Sequence, residues 1–164
     1  MARASSQAAS LDSRASTRAK CTPASAIKPT RLRRGNQHRS KTIAPPGKTL
    51  VWIDDYAPGL EVYKEVFKTF GYRVLTACDG RLGLRLLQEN TPDAVIVDYE
   101  MPGMDGAEVA AEVRRKSPKL PVVMFSGCSS VPARVKNAVT AFCEKTGSLN
   151  HLRLAIDNAV AATA

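Results

Sequence analysis

The chain has 164 residues, of which 44% are hydrophobic, and this is enough for one domain of ordinary size but cramped for two. Its longest apolar runs are only a few residues, which excludes a membrane-spanning helix. The four cysteines and two histidines lack the spacing of a structural zinc site, and we expect reduced thiols in a reducing cytoplasm.

The net charge of +9 is concentrated at the start of the chain. Residues 1–48 hold eleven of the 24 Lys and Arg but only one of the 15 acidic residues, a net +10, so residues 49–164 carry −1. The first segment has no aromatic residue and few large aliphatic ones, so it cannot bury enough apolar surface to offset its ordering entropy. We therefore predict a disordered basic tail over residues 1–47 and a single domain over residues 48–164.

The role of the tail is open at this stage. Its densest basic cluster, Arg31-Leu32-Arg33-Arg34, would attract nucleic acid or an acidic partner by counterion release, with poor specificity because no aromatic ring stacks on the bases. The Arg- and Ser-rich, acid-poor composition also resembles an organelle transit peptide. A solvated extension without a role, or an upstream start-codon assignment, are the remaining alternatives.

Strand-like and helix-like runs alternate through the first half of the domain. Short, nearly continuous apolar runs predict buried strands, and apolar residues at intervals of three and four predict helices. In order, the pattern predicts a strand at Leu50–Ile53, a helix with Leu60, Tyr63, Phe67 and Phe70 that stops at Gly71, a strand at Arg73–Ala77, a helix with Leu82, Leu86 and Leu87, and a strand at Ala94–Val97.

The same alternation continues through the second half. Pro132 limits the fourth helix to a late start, since proline lacks the N–H that a helix interior needs. The pattern predicts a helix with Val109, Ala110 and Val113, a strand at Pro121–Phe125, a short helix within residues 131–138, a strand at Val139–Cys143, and a last helix with Leu149, Leu152, Ile156 and Val160 that Ser148 caps.

Five strand–helix units with apolar strands predict a parallel sheet covered by helices on both faces, an α/β doubly wound sandwich. In such folds ligands bind at the carboxyl ends of the strands. The residues at those ends are polar and chemically active. They are Asp54 and Asp55 after the first strand, Asp98 after the third, Ser126 at the fourth and Lys145 after the fifth.

Carboxylates brought together in this way need a cation, and hard oxygen ligands suit Mg²⁺. A carboxylate is also a nucleophile toward phosphorus and forms an aspartyl phosphate. A lysine and a hydroxyl then supply charge and a hydrogen bond to the transferred group. The residues therefore predict metal-assisted phosphoryl transfer onto an aspartate.

The domain resembles the receiver domain of two-component response regulators, of the single-domain, chemotaxis-receiver type. The resemblance covers residues 48–162 and implies a flavodoxin-like sheet with strand order 2-1-3-4-5. The matching segments are Val51-Trp52-Ile53-Asp54-Asp55, Asp98-Tyr99-Glu100-Met101-Pro102-Gly103-Met104-Asp105-Gly106, Phe125-Ser126-Gly127, and Lys145.

The resemblance implies a role for each site residue. Asp98 would accept the phosphoryl group from a histidine kinase or a phosphotransfer protein. Mg²⁺ would be held by Asp54, Asp55, Asp98 and the backbone carbonyl of Glu100. Ser126 and Lys145 would bind the phosphoryl group, and Phe142 would be the rotating aromatic residue of the switch. Thr146 departs from the family, which usually has proline after the lysine.

We expect a signalling phosphoacceptor in the cytoplasm that catalyses only its own phosphorylation and dephosphorylation. Only a few residues follow the last predicted helix, so we expect output through an unidentified partner, through dimerisation or by onward phosphotransfer. Three alternatives stay open: a nucleic-acid-binding regulator that uses the tail, an aspartyl-phosphate phosphatase, and a receiver that is never phosphorylated.

Overall fold

A computed structural model describes residues 47–128 and 131–163, so the predicted tail lies outside these residues apart from Gly47. Five parallel strands form one sheet in the order β2-β1-β3-β4-β5, which confirms the predicted fold. The elements in chain order are β1 (Thr49–Ile53), α1 (Ala57–Thr69), β2 (Arg73–Ala77), α2 (Gly80–Glu89), β3 (Ala94–Val97), α3 (Gly106–Lys116), β4 (Val122–Ser126), α4 (Ala133–Lys136), β5 (Ala141–Glu144) and α5 (Leu149–Ala161).

The central strands are buried on both faces, as their continuous apolar sequences require. Successive residues of a strand point to opposite faces, so each strand contributes to two cores. Leu50 and Trp52 of β1 belong to the core that contains residues of α1 and α5. Val51 and Ile53 belong to the core on the other face, which contains residues of α3 and α4 and against which the leucines of α2 pack.

Helix ends are set by local hydrogen bonds. Gly71 follows α1 with φ +90°, a conformation that glycine adopts without a Cβ clash, and so it stops the helix as predicted. Ser148 caps α5 as predicted, because its hydroxyl accepts the N–H of His151. Among the described residues, no helix is both long and apolar enough to cross a membrane.

The structure corrects the start of the fifth strand. The predicted span was Val139–Cys143, but β5 begins only at Ala141. The Thr140 N–H donates to the Val122 carbonyl at 2.8 Å, and the Thr140 hydroxyl accepts the Val122 N–H at 3.1 Å. The N–H of Val122 is thus bonded to the Thr140 side chain, just before the residues of β5. Val139 is nevertheless buried in the turn, which is why its apolar character suggested a strand.

The first described residues make a close backbone contact at the amino-terminal edge of the sheet. A Cβ added to Gly47 would lie 1.8 Å from the carbonyl oxygen of Gly71, so only glycine fits there. The neighbouring Lys48 Nζ lies 3.6 Å from Asp157 on α5. Tyr72 also donates a hydrogen bond to the Asp157 carboxylate. This edge therefore joins the start of β1, the start of β2 and α5.

Candidate functional site

The predicted site residues meet at the carboxyl edge of the sheet. Asp54 follows β1 and Asp98 follows β3, and backbone hydrogen bonds hold both beyond the strand ends. The Asp54 N–H donates to the Ala77 carbonyl at 3.0 Å, and the Asp98 N–H donates to the Ile53 carbonyl at 2.9 Å. Both carboxyl residues are buried, with 1% of Asp54 and 7% of Asp98 exposed.

Lys145 lies between the two buried carboxylates. Its Nζ is 2.7 Å from Asp54 Oδ2 and 3.0 Å from Asp98 Oδ2. The backbone N–H of Lys145 donates to the Ser126 carbonyl at 3.0 Å. The turn after the lysine closes with a hydrogen bond from the Gly147 N–H to the Glu144 carbonyl at 3.0 Å. The turn therefore forms with Thr146 in the place where the family usually has proline.

Burial and the ion pairs shift the pKa of Asp54 and of Lys145 in opposite directions. Burial raises the pKa of Asp54 and outweighs the lowering by Lys145 and by the Tyr56 N–H, which donates to Asp54 Oδ1 at 2.9 Å. Burial alone would lower the pKa of Lys145, but its hydrogen bonds and charge interactions with Asp54 and Asp98 raise it. The lysine is therefore held firmly in its charged form, beside a carboxylate whose negative charge is costly to bury.

Asp54, Asp55 and Asp98 form an acidic cluster whose donor atoms suit a hard cation. One carboxylate oxygen from each residue lies within 4.8 Å of the others. Asp55 is exposed, and it lines a depression at the surface together with Glu100. Mg²⁺ takes one or two carboxylates and completes its coordination with water and phosphoryl oxygens. The cluster, open to solvent on the Asp55 side, fits that requirement.

The loop from Asp98 to α3 is held by close backbone packing. The Gly106 N–H donates to the Tyr99 carbonyl at 3.0 Å. A Cβ at Gly106 would lie 2.1 Å from the Asp98 carbonyl oxygen, so the Asp105-Gly106 pair lets α3 begin directly against the aspartate. Asp105 and Glu108 form a capping box at the start of α3. These contacts explain why the segment needs its particular glycine and acids.

Ser126 is 99% buried at the end of β4, and its hydroxyl accepts the Cys128 N–H at 3.1 Å. The Tyr99 N–H donates to Asp98 Oδ1 at 2.8 Å. Phe142 pairs with Met124 of β4 and is half-buried, and Lys136 Nζ lies 4.3 Å from the centre of its ring. The predicted roles of Ser126 and Phe142 in switching stay predictions.

A group of aromatic rings beneath the site was not predicted from the sequence. Trp52 stacks on Tyr63 of α1, and Phe125 meets both rings edge-on. The sequence placed Trp52 in a central strand and Tyr63 on a helix, but helical spacing cannot tell which ring of a helix reaches which strand. The available signal was the sequence position of Trp52, two residues before Asp54, and of Phe125, directly before Ser126.

Comparison with known proteins agrees with this geometry. The model of the response regulator receiver domain matches residues 50–157. The chain is 33% identical over 114 residues to the transcriptional regulatory protein GlrR of Escherichia coli, covering 68% of this chain and 26% of that protein. It is 37% identical over 83 residues to the transcriptional regulatory protein PrrA of Mycobacterium tuberculosis, covering 51% of this chain and 36% of that one. The match thus spans about a quarter to a third of these curated relatives.

Among solved structures, the chain is similar to the response regulator protein TrrA of Thermotoga maritima in complex with Mg²⁺-BeF. The two share 27% sequence identity with a TM-score of 0.65, covering 68% of this chain and 98% of that one.

Proposed function

Because this chain belongs to the family of response regulator receiver domains, we propose that it accepts a phosphoryl group on Asp98 in a two-component phosphorelay. The observation that carries the proposal is the position of Lys145 Nζ, 2.7 Å from Asp54 and 3.0 Å from Asp98, at the edge of the sheet where Asp55 and Ser126 also lie. A nucleophilic carboxylate, a fixed cation and a hydroxyl at one site are the groups that transfer of a phosphoryl group to aspartate needs.

In the proposed reaction, a carboxylate oxygen of Asp98 attacks phosphorus. The bond from phosphorus to the donor, a histidine nitrogen of a kinase or phosphotransfer protein, breaks as the new P–O bond forms. The nitrogen leaves with the bonding electron pair. Lys145 exchanges its contact with the Asp98 carboxylate for a phosphoryl oxygen, and the Ser126 hydroxyl donates to another.

A divalent cation fits the acidic side of the site. Asp54, Asp55 and Asp98, with the backbone carbonyl of Glu100, are the groups proposed to hold Mg²⁺. Bound there, the ion would neutralise charge that develops on the transferred group. The Mg²⁺-BeF complex of the TrrA protein supports this assignment.

The output of the domain follows from the same proposal. Phosphorylation stabilises one of two arrangements of the surface near Phe142, and a partner reads that surface. We propose that residues 48–164 are the receiver domain in the cytoplasm, that residues 1–47 are a separate basic segment, and that the chain turns over no other substrate.

Incubation with acetyl phosphate and Mg²⁺, followed by intact-mass measurement, tests the acceptor. One acid-stable, base-labile phosphoryl group should appear on the parent protein and be absent from Asp98→Asn. Asp79→Asn is the matched control, because Asp79 caps α2 and asparagine caps a helix equally well. Label on Asp98→Asn equal to the parent's would contradict the proposal. Sustained phosphate release from a phosphomonoester would indicate a phosphatase instead.

A further inference from the structure

The aromatic group beneath the site joins one helix to two strands. Tyr63 on α1 is stacked on Trp52 of β1, with ring centres 4.6 Å apart and planes 9° from parallel. Phe125 of β4 meets Tyr63 edge-on at 5.5 Å and Trp52 at 5.8 Å. β3 lies between β1 and β4 in the sheet, so these ring contacts link two strands that are not neighbours.

Each strand member of the group is close in sequence to a site residue. Trp52 precedes Asp54 by two residues, and Phe125 directly precedes Ser126. The Trp52 ring is fully buried, and its indole N–H has no hydrogen-bond partner among the described residues. Ring contacts, rather than a hydrogen bond, therefore fix the orientation of this side chain.

Tyr63 also lies near Tyr56, which belongs to the loop that carries the acidic pair. Gly59 of α1 lies between two tyrosines, since a Cβ added there would be 2.7 Å from Tyr56 Cδ1 and 3.4 Å from Tyr63 Cε2. Tyr56 is the residue whose N–H donates to Asp54 Oδ1. Burial raises the pKa of Tyr63, and its phenol also interacts with the charges of Lys145 and of the two buried carboxylates.

We propose that Tyr63 is a positioning residue for the reaction at Asp98, and that it acts through its ring contacts with Trp52 and Phe125. The stack holds the ends of β1 and β4 at a fixed separation, and with them the carboxylate of Asp54 and the hydroxyl of Ser126. This inference rests on the proposed function, because it assigns a further residue to the same site.

Phe67 provides a matched control on the same helix. Its ring meets Trp52 edge-on at 5.0 Å and is fully buried, but it lies one turn further from the site and contacts Phe70 and Tyr72 rather than Phe125. Replacing either ring by leucine disturbs the same core. Only Tyr63→Leu removes a ring that contacts both Trp52 of β1 and Phe125 of β4, and the direct contact between Trp52 and Phe125 is kept in both variants.

The experiment compares Tyr63→Phe, Tyr63→Leu and Phe67→Leu with the parent protein. It measures the thermal midpoint, the emission of Trp52 and the phosphorylation rate as a function of acetyl phosphate concentration. Tyr63→Leu should lower the maximal rate about fivefold, the size expected from an aromatic pair. Tyr63→Phe should restore the rate to within about twofold, since the ring is kept. Phe67→Leu should lower the thermal midpoint more than Tyr63→Leu but leave the rate within about twofold.

A purely structural role predicts that rate and stability fall together across the three variants. The inference would be overturned if Tyr63→Leu and Phe67→Leu slowed phosphorylation equally, or if Tyr63→Leu left the phosphorylation rate unchanged. In either case, a phosphoryl label on the parent protein would still support the proposed function. Absence of label on the parent would overturn both.

Discussion

Replacing Lys145 by methionine is the sharpest test of the electrostatics of the site. The change keeps an unbranched side chain that is one atom shorter, and it removes the ammonium that lies within 3.0 Å of two buried carboxylates. Removing one partner of a buried ion pair costs about 3–5 kcal/mol, because the remaining charge is left uncompensated. Since 23% of the lysine side chain is exposed, solvent screens part of this loss. We expect a decrease of about 2–3 kcal/mol in the free energy of unfolding at pH 7.5 without divalent cations.

The pH dependence follows from the direction of the Asp54 shift. Burial raises the pKa of Asp54 in the folded protein, and loss of Lys145 removes the main group that lowers it. The folded state then binds the proton more tightly than the unfolded state, so stability rises as pH falls through the folded pKa. The deficit of Lys145→Met should therefore shrink as the pH falls below 7.5 and be smallest near the ordinary carboxyl pKa of 3.8.

Urea unfolding followed by circular dichroism, in EDTA and in Mg²⁺, measures the free energy of unfolding of Lys145→Met and its dependence on pH. A cation that binds the acidic cluster stabilises the folded state by mass action, so Mg²⁺ should recover more stability in Lys145→Met than in the parent. Lys64→Met is the control, because its Nζ lies 3.7 Å from Glu61 in an exposed pair of small energetic value. Equal stability of Lys145→Met and the parent at pH 7.5 in EDTA would refute this reasoning.

Three further predictions concern other parts of the fold. Tyr72→Phe removes the hydroxyl that donates to Asp157 and should lower the free energy of unfolding, measured by urea titration, by about 1 kcal/mol. An unchanged free energy of unfolding would mean that this hydrogen bond contributes nothing to stability. Gly106→Ala places a Cβ 2.1 Å from the Asp98 carbonyl oxygen, so it should lower the free energy of unfolding by about 2–3 kcal/mol and slow phosphorylation. A phosphorylation rate equal to the parent's would contradict the close packing. Cys143 is buried, and burial raises the pKa of its thiol. Peptide mapping after alkylation should therefore find Cys143 at least about a hundredfold less reactive in the native protein than in urea. Similar reactivity in the two conditions would argue against its burial.

The position of the acidic edge could be predicted because it depends on topology. Apolar runs ending in Asp54, Asp98 and Ser126, alternating with helical patterns, predicted parallel strands, and parallel strands bring their carboxyl ends together. The start of β5 was wrong by two residues because Val139 is buried in a turn. An apolar pattern records burial, and it does not distinguish a strand residue from a buried turn residue.

Contacts between distant side chains could not be predicted in the same way. The sequence indicates that Lys145 is near Asp98, but its equal approach to Asp54 depends on the turn at residues 145–147. The stacking of Trp52 on Tyr63 depends on the rotation of α1 about its axis, which the apolar spacing fixes only to a broad face. The predicted boundary at residue 48 and the role of the tail stay predictions.

The close contact between Gly47 and Gly71 has a practical consequence for work on this protein. It fixes Gly47, the first residue that the structure describes, at the end of β1 opposite Asp54. The five residues of β1 span roughly 16 Å, so a fluorophore, an affinity tag or a surface linkage joined directly to the backbone of Gly47 starts at the edge of the sheet opposite the acidic cluster. A shortened protein should keep Gly47 itself, since a new first residue with a side chain at that position would collide with the Gly71 carbonyl and loosen the edge where β1, β2 and α5 meet.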